Sequence, residues 1–312
     1  MTFNISVRGQ RAGQETVALK RTADGWQISA TGTQANFVID KFEAAYPDRF
    51  IELGIAEQGM VGTAAGLSFE GFIPWLSSFG IFFSNRALDQ VRMSVAQTRA
   101  NVKIAAAYTG LKAGLSGKTH VDIADIATIR AMPGMTLLAP ADAAEVAAMT
   151  RWATAHHGPV YLRLDREAGP DLFGDDYVFE PGRVILLREG TEVLLVSTGQ
   201  QTARTLEAAE LLAKDGIAAG VLHVPTLKPV DAEALAAVCA NYPVIVTTEE
   251  HNVVGGLGGL VAEIVTSAEP RPVMRIGVED AWVESAPNAW LLDKHGLTPE
   301  RVAARVRAIW NQ

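Results

Sequence analysis

The stretch richest in chemistry runs Phe50-Ile-Glu-Leu-Gly-Ile-Ala-Glu-Gln-Gly-Met-Val-Gly-Thr-Ala-Ala-Gly-Leu. It reads as a strand ending near Gly54 with a helix beginning almost at once, which puts Glu57 in the first helical turn beyond a strand's carboxyl end. Open α/β sheets bind ligands along that edge. A carboxylate there has two uses: to complement the positive end of the helix, worth ~0.3–1 kcal/mol, or to act as a buried acid in a site. The helix behind it is built from small residues, Gly59, Gly62, Ala64, Ala65 and Gly66, which let another backbone approach closely. Downstream, Pro74-Trp-Leu-Ser-Ser-Phe-Gly-Ile-Phe-Phe joins a strand end to clustered aromatics, and Phe79 and Phe82 share a face if a helix has begun there. Isolated, such a pair is ordinary core packing. A third segment, Leu115-Ser-Gly-Lys-Thr-His-Val-Asp-Ile-Ala-Asp, is a glycine-containing loop leading into a helix, with His120 at its start and Asp122 and Asp125 close behind. A lone loop histidine is usually solvated, and no partner at metal-ligand spacing accompanies this one.

These segments sit in a chain whose pattern, past the first 35 residues, is short β-rich runs alternating with Ala-rich helical stretches. The expected order is strand Phe50–Leu53, helix Glu57–Ser68, strand Phe72–Trp75, helix Arg86–Gln97 and strand Val102–Ala107. It continues through Ile123–Ala131, Thr136–Ala139, Ala143–Ala155 and Val160–Leu164. After a turn-rich acidic linker over 169–190, the alternation resumes with strand Glu192–Ser197, helix Thr202–Lys214, strand Ala218–His223 and helix Ala232–Cys239. Val244–Thr248, Leu257–Val265, Val273–Gly277 and a helix starting near Pro299 complete it. Strands alternating with helices of this length imply an α/β fold of two successive domains, each a mainly parallel sheet flanked by helices. The expected divisions are an arm over 1–35, a domain over 36–168, the linker, and a domain over 191–312. The arm itself suggests a hairpin turning at Ala23-Asp24-Gly25.

Composition narrows the function classes. The chain has 312 residues, with 27 Lys plus Arg against 35 Asp plus Glu, a formal net charge of −8. That balance disfavours sequence-independent nucleic-acid binding. One cysteine, Cys239, makes neither an internal disulfide nor a Cys-rich zinc cage. The amino terminus lacks an apolar export core, and Glu263 interrupts the best apolar run, so a cytoplasmic protein without membrane contact is expected.

Together, Glu57-Gln58, Phe79 and Phe82, the Gly-Lys-Thr-His120 loop and Met135-Thr-Leu-Leu-Ala-Pro-Ala-Asp142 resemble the pyrimidine-binding domain of transketolases. Val196-Ser-Thr-Gly, His223-Val-Pro-Thr-Leu-Lys-Pro-Val-Asp and Thr248-Glu-Glu-His-Asn-Val-Val-Gly-Gly-Leu-Gly are similar to the carboxyl-terminal domain of the same family. The resemblance implies thiamine diphosphate as cofactor and transfer of a two-carbon ketol unit between a ketose and an aldose. It implies that Glu57 hydrogen-bonds the cofactor's aminopyrimidine nitrogen and, by donating a proton, favours the tautomer that activates the thiazolium carbon. The reactivity is the cofactor's; the protein positions and polarises it. By the same resemblance Phe82 stacks on the pyrimidine with Phe79 beside it, His120 contacts the substrate near the reacting carbon, and Arg166 holds a substrate phosphate.

The family's diphosphate half-site, a Gly-Asp-Gly motif with a later Asn that binds Mg2+ or another divalent cation, is missing from this sequence; the nearest stretch is Gly174-Asp-Asp in the linker. The chain therefore resembles the carboxyl-terminal subunit of a split transketolase. An amino-terminal subunit would carry the diphosphate domain and the metal, in a heterotetramer of two copies of each chain. The small-residue helix after Glu57 and the glycine-rich Val253–Gly259 are candidate contact surfaces, although Gly255–Gly259 could merely permit a tight helix start. A histidine and an aspartate of conventional transketolases are replaced here by Tyr108 and Ser116, which points to a sugar or sugar-phosphate substrate other than the usual pentose phosphates. A 1-deoxyxylulose 5-phosphate synthase-like chain, a 2-oxoacid dehydrogenase beta subunit and a non-catalytic scaffold are the alternatives.

Overall fold

A computed structural model describes residues 2–7, 10–22, 25–33, 45–167, 169–174 and 176–310. The chain divides into two compact units, Met1–Gly54 and Ile55–Gln312.

Among its described residues the first unit contains three strands, β1 (Thr2–Val7), β2 (Gln10–Thr22) and β3 (Gly25–Thr33), paired antiparallel in that order. Thr22 pairs with Gly25 and Val17 with Ala30, so the expected hairpin is present; the tip of its turn, residues 23 and 24, lies outside the described residues. The leading strand β1 is an addition to that expectation. One expectation fails here. Phe50–Leu53 forms no strand; instead Glu52 Oε1 accepts the Gly54 N–H at 2.6 Å, in a local turn that competes with ladder pairing.

The second unit holds two five-stranded sheets. In the first, the order is β11 (Thr226–Lys228), β6 (Thr136–Leu138), β7 (Val160–Arg163), β5 (Lys103–Ala107) and β4 (Trp75–Phe79). In the second it is β13 (Val273–Val278), β12 (Val244–Asn252), β9 (Val193–Ser197), β10 (Ala219–His223) and β8 (Ile185–Arg188). All pairings are parallel except the two that bring in β11 and β8. The central strands β7 and β9 are buried along their whole length, as strands covered by helices on both faces require.

Neither antiparallel edge strand is expected from the sequence: β8 ends the stretch read as a linker, and β11 crosses from the second half of the chain to complete the first sheet. Both are too short to carry a period of their own. One apolar cluster runs through the two halves, joining Val61, Phe83, Ile104 and Leu137 to Leu194, Leu222, Leu257 and Val261. The expected helix over Arg86–Gln97 is also irregular, with π-helical turns at Phe82–Arg86 and Val91–Ala96 around a short α-helical turn, Leu88–Gln90. Such wide turns gather at functional sites.

Candidate functional site

Glu57 opens the helix Glu57–Phe69 and is 3% exposed. Val61, Ala64 and Ala65 turn the buried side of this helix inward, while Gly59, Gly62 and Gly66 face open space. The carboxylate is held at both oxygens: Ser78 Oγ donates to Oε1 at 3.3 Å, and Arg86 Nη1 donates to Oε2 at 3.2 Å. Placed in the first turn, it also benefits from the positive end of the helix.

Ser78 is the last residue but one of β4, so the residue after it, Phe79, emerges at the carboxyl edge of the sheet. The chain then turns through Gly80, where an added Cβ would stand 2.5 Å from Thr109 Cγ2; only a glycine lets the two strand ends lie this close. That turn stacks Phe82 against Phe79, with ring centres 5.9 Å apart and planes 11° from parallel. His120 presents its ring edge-on to both, 5.4 Å from each centre. Tyr108 packs against Phe79, with ring centres 4.3 Å apart and planes tilted by 34°. Two cations close the cluster: the Arg86 guanidinium lies 4.6 Å over Phe82, and that of Arg166 lies 5.3 Å over Tyr108. Thr119 Oγ1 is 2.8 Å from His120 Nδ1 and orients the imidazole.

Behind the rings is a seam of buried charge. Ser84 Oγ donates to Asp122 Oδ2 at 2.7 Å, and the Asp122 Oδ1 accepts the N–H groups of Ala124 and Asp125 at 3.2 and 3.1 Å. Arg163 Nε donates to Asp125 Oδ2 at 2.8 Å, and its Nη2 donates to the Glu250 carbonyl at 2.9 Å. Glu250 in turn pairs with Arg204 and accepts the Leu111 N–H at 2.7 Å. The segment Leu111–Thr119 that leads to His120 is thus gripped by β12 of the second sheet. Burial, reinforced by Asp125, pushes the Asp122 carboxyl well above the usual carboxylate range.

Of the residues singled out in the sequence, Glu57, Phe79, Phe82, Tyr108, His120 and Arg166 form one continuous set of contacts, with Arg86 joining the carboxylate to the rings. Ser116 is exposed on the gripped segment, and its carbonyl accepts Thr119 Oγ1 at 3.4 Å. Sequence reading missed Ser78 and Arg86 as partners of Glu57, and the only available hint was the spacing of four residues between Phe82 and Arg86. The glycines of the other candidate contact surface face inward: Glu249 caps the helix Leu257–Ala268 by accepting the Leu257 and Gly258 N–H groups at 2.6 and 2.8 Å, and a Cβ on Gly256 would collide with that carboxylate.

The arrangement offers a flat aromatic bed, a buried hydrogen-bonding carboxylate beside it, and an imidazole at its rim. Those three groups suit a planar nitrogen heterocycle, and the aminopyrimidine half of thiamine diphosphate fits them. Among the described residues no group of three or more His, Cys, Asp and Glu side chains could hold a metal ion. No helix among them is long and apolar enough to cross a membrane.

Two family models match the chain: transketolase, pyrimidine binding domain, over residues 12–171, and transketolase, C-terminal domain, over residues 182–302. The chain is 40% identical over 264 residues to the 6-deoxy-6-sulfo-D-fructose transketolase subunit SqwH of Clostridium sp., covering 85% of this chain and 82% of that protein. It is 35% identical over 279 residues to an apulose-4-phosphate transketolase subunit of Actinobacillus succinogenes, covering 89% of each. Among solved structures, a split-gene transketolase in the form of an inactive β4 tetramer superposes with a TM-score of 0.79 at 42% identity, over 86% of both chains.

Proposed function

The chain belongs to the transketolase family, and on that premise we propose that it is the pyrimidine-binding subunit of a split, thiamine-diphosphate-dependent transketolase. The observation that carries this reading is the convergence of Glu57, Phe79, Phe82 and His120 on one sheet edge. When bound, the cofactor supplies a thiazolium carbon able to carry a two-carbon ketol unit from a ketose to an aldose.

The chain's own residues bind and orient. Glu57 hydrogen-bonds the ring nitrogen of the pyrimidine, and Ser78 keeps its other oxygen in place. Phe82 provides the stacking face, with Phe79 stacked against it. His120, fixed at Nδ1 by Thr119, leaves Nε2 to exchange a proton with a substrate oxygen near the reacting carbon. Arg166 draws in the anionic end of the sugar, for which a guanidinium suits either a phosphate or a sulfonate. Tyr108 and Ser116 favour a substrate other than the usual pentose phosphates. The relatives named for 6-deoxy-6-sulfo-D-fructose and apulose-4-phosphate support that departure.

A partner chain carries the diphosphate-binding domain with Mg2+ or another divalent cation, and the two associate as a heterotetramer. The open Gly59, Gly62 and Gly66 face is the contact surface proposed for it. The inactivity of the related β4 tetramer agrees with a need for a partner. Reconstitution tests the reading: the chain alone should transfer no ketol unit, and adding a partner with the Gly-Asp-Gly domain should restore transfer from a ketose donor. A reconstituted complex that binds thiamine diphosphate but transfers nothing from any ketose would refute it. Ordinary efficiency with xylulose 5-phosphate and ribose 5-phosphate would remove the substrate part alone.

A further inference from the structure

Arg86 makes the two contacts that the proposed function gives to the aminopyrimidine. Its Nη1 donates to Glu57 Oε2 at 3.2 Å, and its Cζ lies 4.6 Å from the centre of the Phe82 ring. A guanidinium and an aminopyrimidine that has taken the Glu57 proton on its ring nitrogen are alike in what such a site reads. Both are planar and delocalised, both present an N–H to the carboxylate, and both stack on an aromatic face. The two ends of the ion pair differ in freedom. The Glu57 side chain is 4% exposed and Arg86 is 48% exposed, so the carboxylate is the fixed anchor and the arginine can swing into water at little cost. Ser78 stays on the other oxygen whichever group occupies the first.

We propose that Arg86 is a placeholder that closes the pyrimidine subsite: it partners the buried carboxylate and covers Phe82 while the base is absent, and rotates away when the base enters. A buried carboxylate left with only the 3.3 Å contact from Ser78 and no counter-charge would be costly, which gives the Arg86 contact a purpose in the chain before cofactor is loaded. The consequence is competition, because arginine and pyrimidine need the same oxygen and the same ring face. This inference rests on the proposed roles of Glu57 and Phe82.

The test is direct binding to the full-length chain, read by ligand-detected NMR with 4-amino-2-methylpyrimidine and by calorimetry with thiamine diphosphate plus Mg2+. Arg86→Ala should bind the pyrimidine about ten-fold tighter than the unaltered chain, the order expected when one charge-assisted hydrogen bond and one exposed cation–π contact stop competing. Arg86→Lys, which keeps the charge and loses the planar stack, should fall between them. In the unaltered chain the Arg86 Nε–H resonance should move as pyrimidine is added. If the unaltered chain binds while Arg86→Ala, folded by circular dichroism, binds equally or more weakly, the placeholder is overturned and the pyrimidine site stands. A bound pyrimidine that leaves the Arg86 resonance unmoved also overturns it. If neither protein binds the pyrimidine at any soluble concentration, the reading of the site falls, and this proposal falls with it.

Discussion

At the edge of the first sheet, Phe79, Phe82, Tyr108 and His120 are half-buried and held by ring contacts, one threonine and an ion pair to an exposed arginine. In the seam behind them, Asp122, Asp125, Arg163 and Glu250 are at most 6% exposed, and each is tied by at least two hydrogen bonds or ion pairs. The edge contacts are weak, exchangeable and individually worth about 1 kcal/mol, which is what a site needs if a ligand is to displace them. The seam is the reverse: its charged groups are shut away from water and held by several partners, Arg163 by Asp125 and the Glu250 carbonyl, and Glu250 by Arg204 and the Leu111 N–H. Density of charge therefore marks the scaffold in this molecule, and sparse, exchangeable contacts mark the candidate site.

Substitutions can break that contrast. Glu57→Ala should remove ketol transfer in the reconstituted enzyme by about 1,000-fold or more, as loss of a group acting on the cofactor does. Its urea midpoint should stay near that of the unaltered protein, because the freed Arg86 is already exposed. A collapse of stability would instead assign Glu57 to the scaffold. Asp125→Ala should do the opposite and lower unfolding free energy by about 3–5 kcal/mol in urea denaturation, since it strands Arg163 without its carboxylate. Pyrimidine binding by the protein that remains folded should be little changed.

Phe82→Ala is a smaller probe of the edge. It should weaken thiamine diphosphate binding by about five-fold, the order of one stacking contact, with the midpoint again nearly unchanged.

The least effect is a pH slope in the second sheet. Burial raises the Glu249 carboxyl from an ordinary 4.5 to about 7, partly offset by the Gly258 and Leu257 N–H groups. Its proton-linked stability is therefore complete below 4.5 and lost as pH rises through about 7. His251 works with the opposite sign: burial lowers it from 6.5 to about 4, so its share is complete above 6.5 and lost as pH falls through about 4. Glu249→Gln should abolish the first slope, seen as urea midpoints that no longer decline between these pH values. An unchanged slope would assign it to other groups.

Several elements were legible from local signals alone. The helices Ala143–Ala155 and Ala232–Cys239 have the bounds read from the sequence, because Asp142 and Asp231 accept the N–H groups of Glu145 and Ala234 as caps. The strand β5 and the helix opening at Glu57, which has no side-chain cap, lie within a residue or two of the bounds read from the sequence. Phe50–Leu53 misled because its apolar character suggested a ladder that a side chain two residues before Gly54 pre-empts. The strands β8 and β11 were illegible because their partners lie far along the chain.

The amino-acid order by itself determined the alternation of strands and helices and the small-residue helix behind Glu57, since those follow from periodicity and chemical identity, while the resemblance of its motifs singled out the residues proposed to hold a pyrimidine. Only the tertiary structure decided that Arg86 reaches Glu57 across 29 positions and that Glu250 reaches Leu111 across 139. Side chains meet where strand crossovers and sheet register bring backbone ends together, and that geometry is set by packing over the whole unit rather than by any local run of residues.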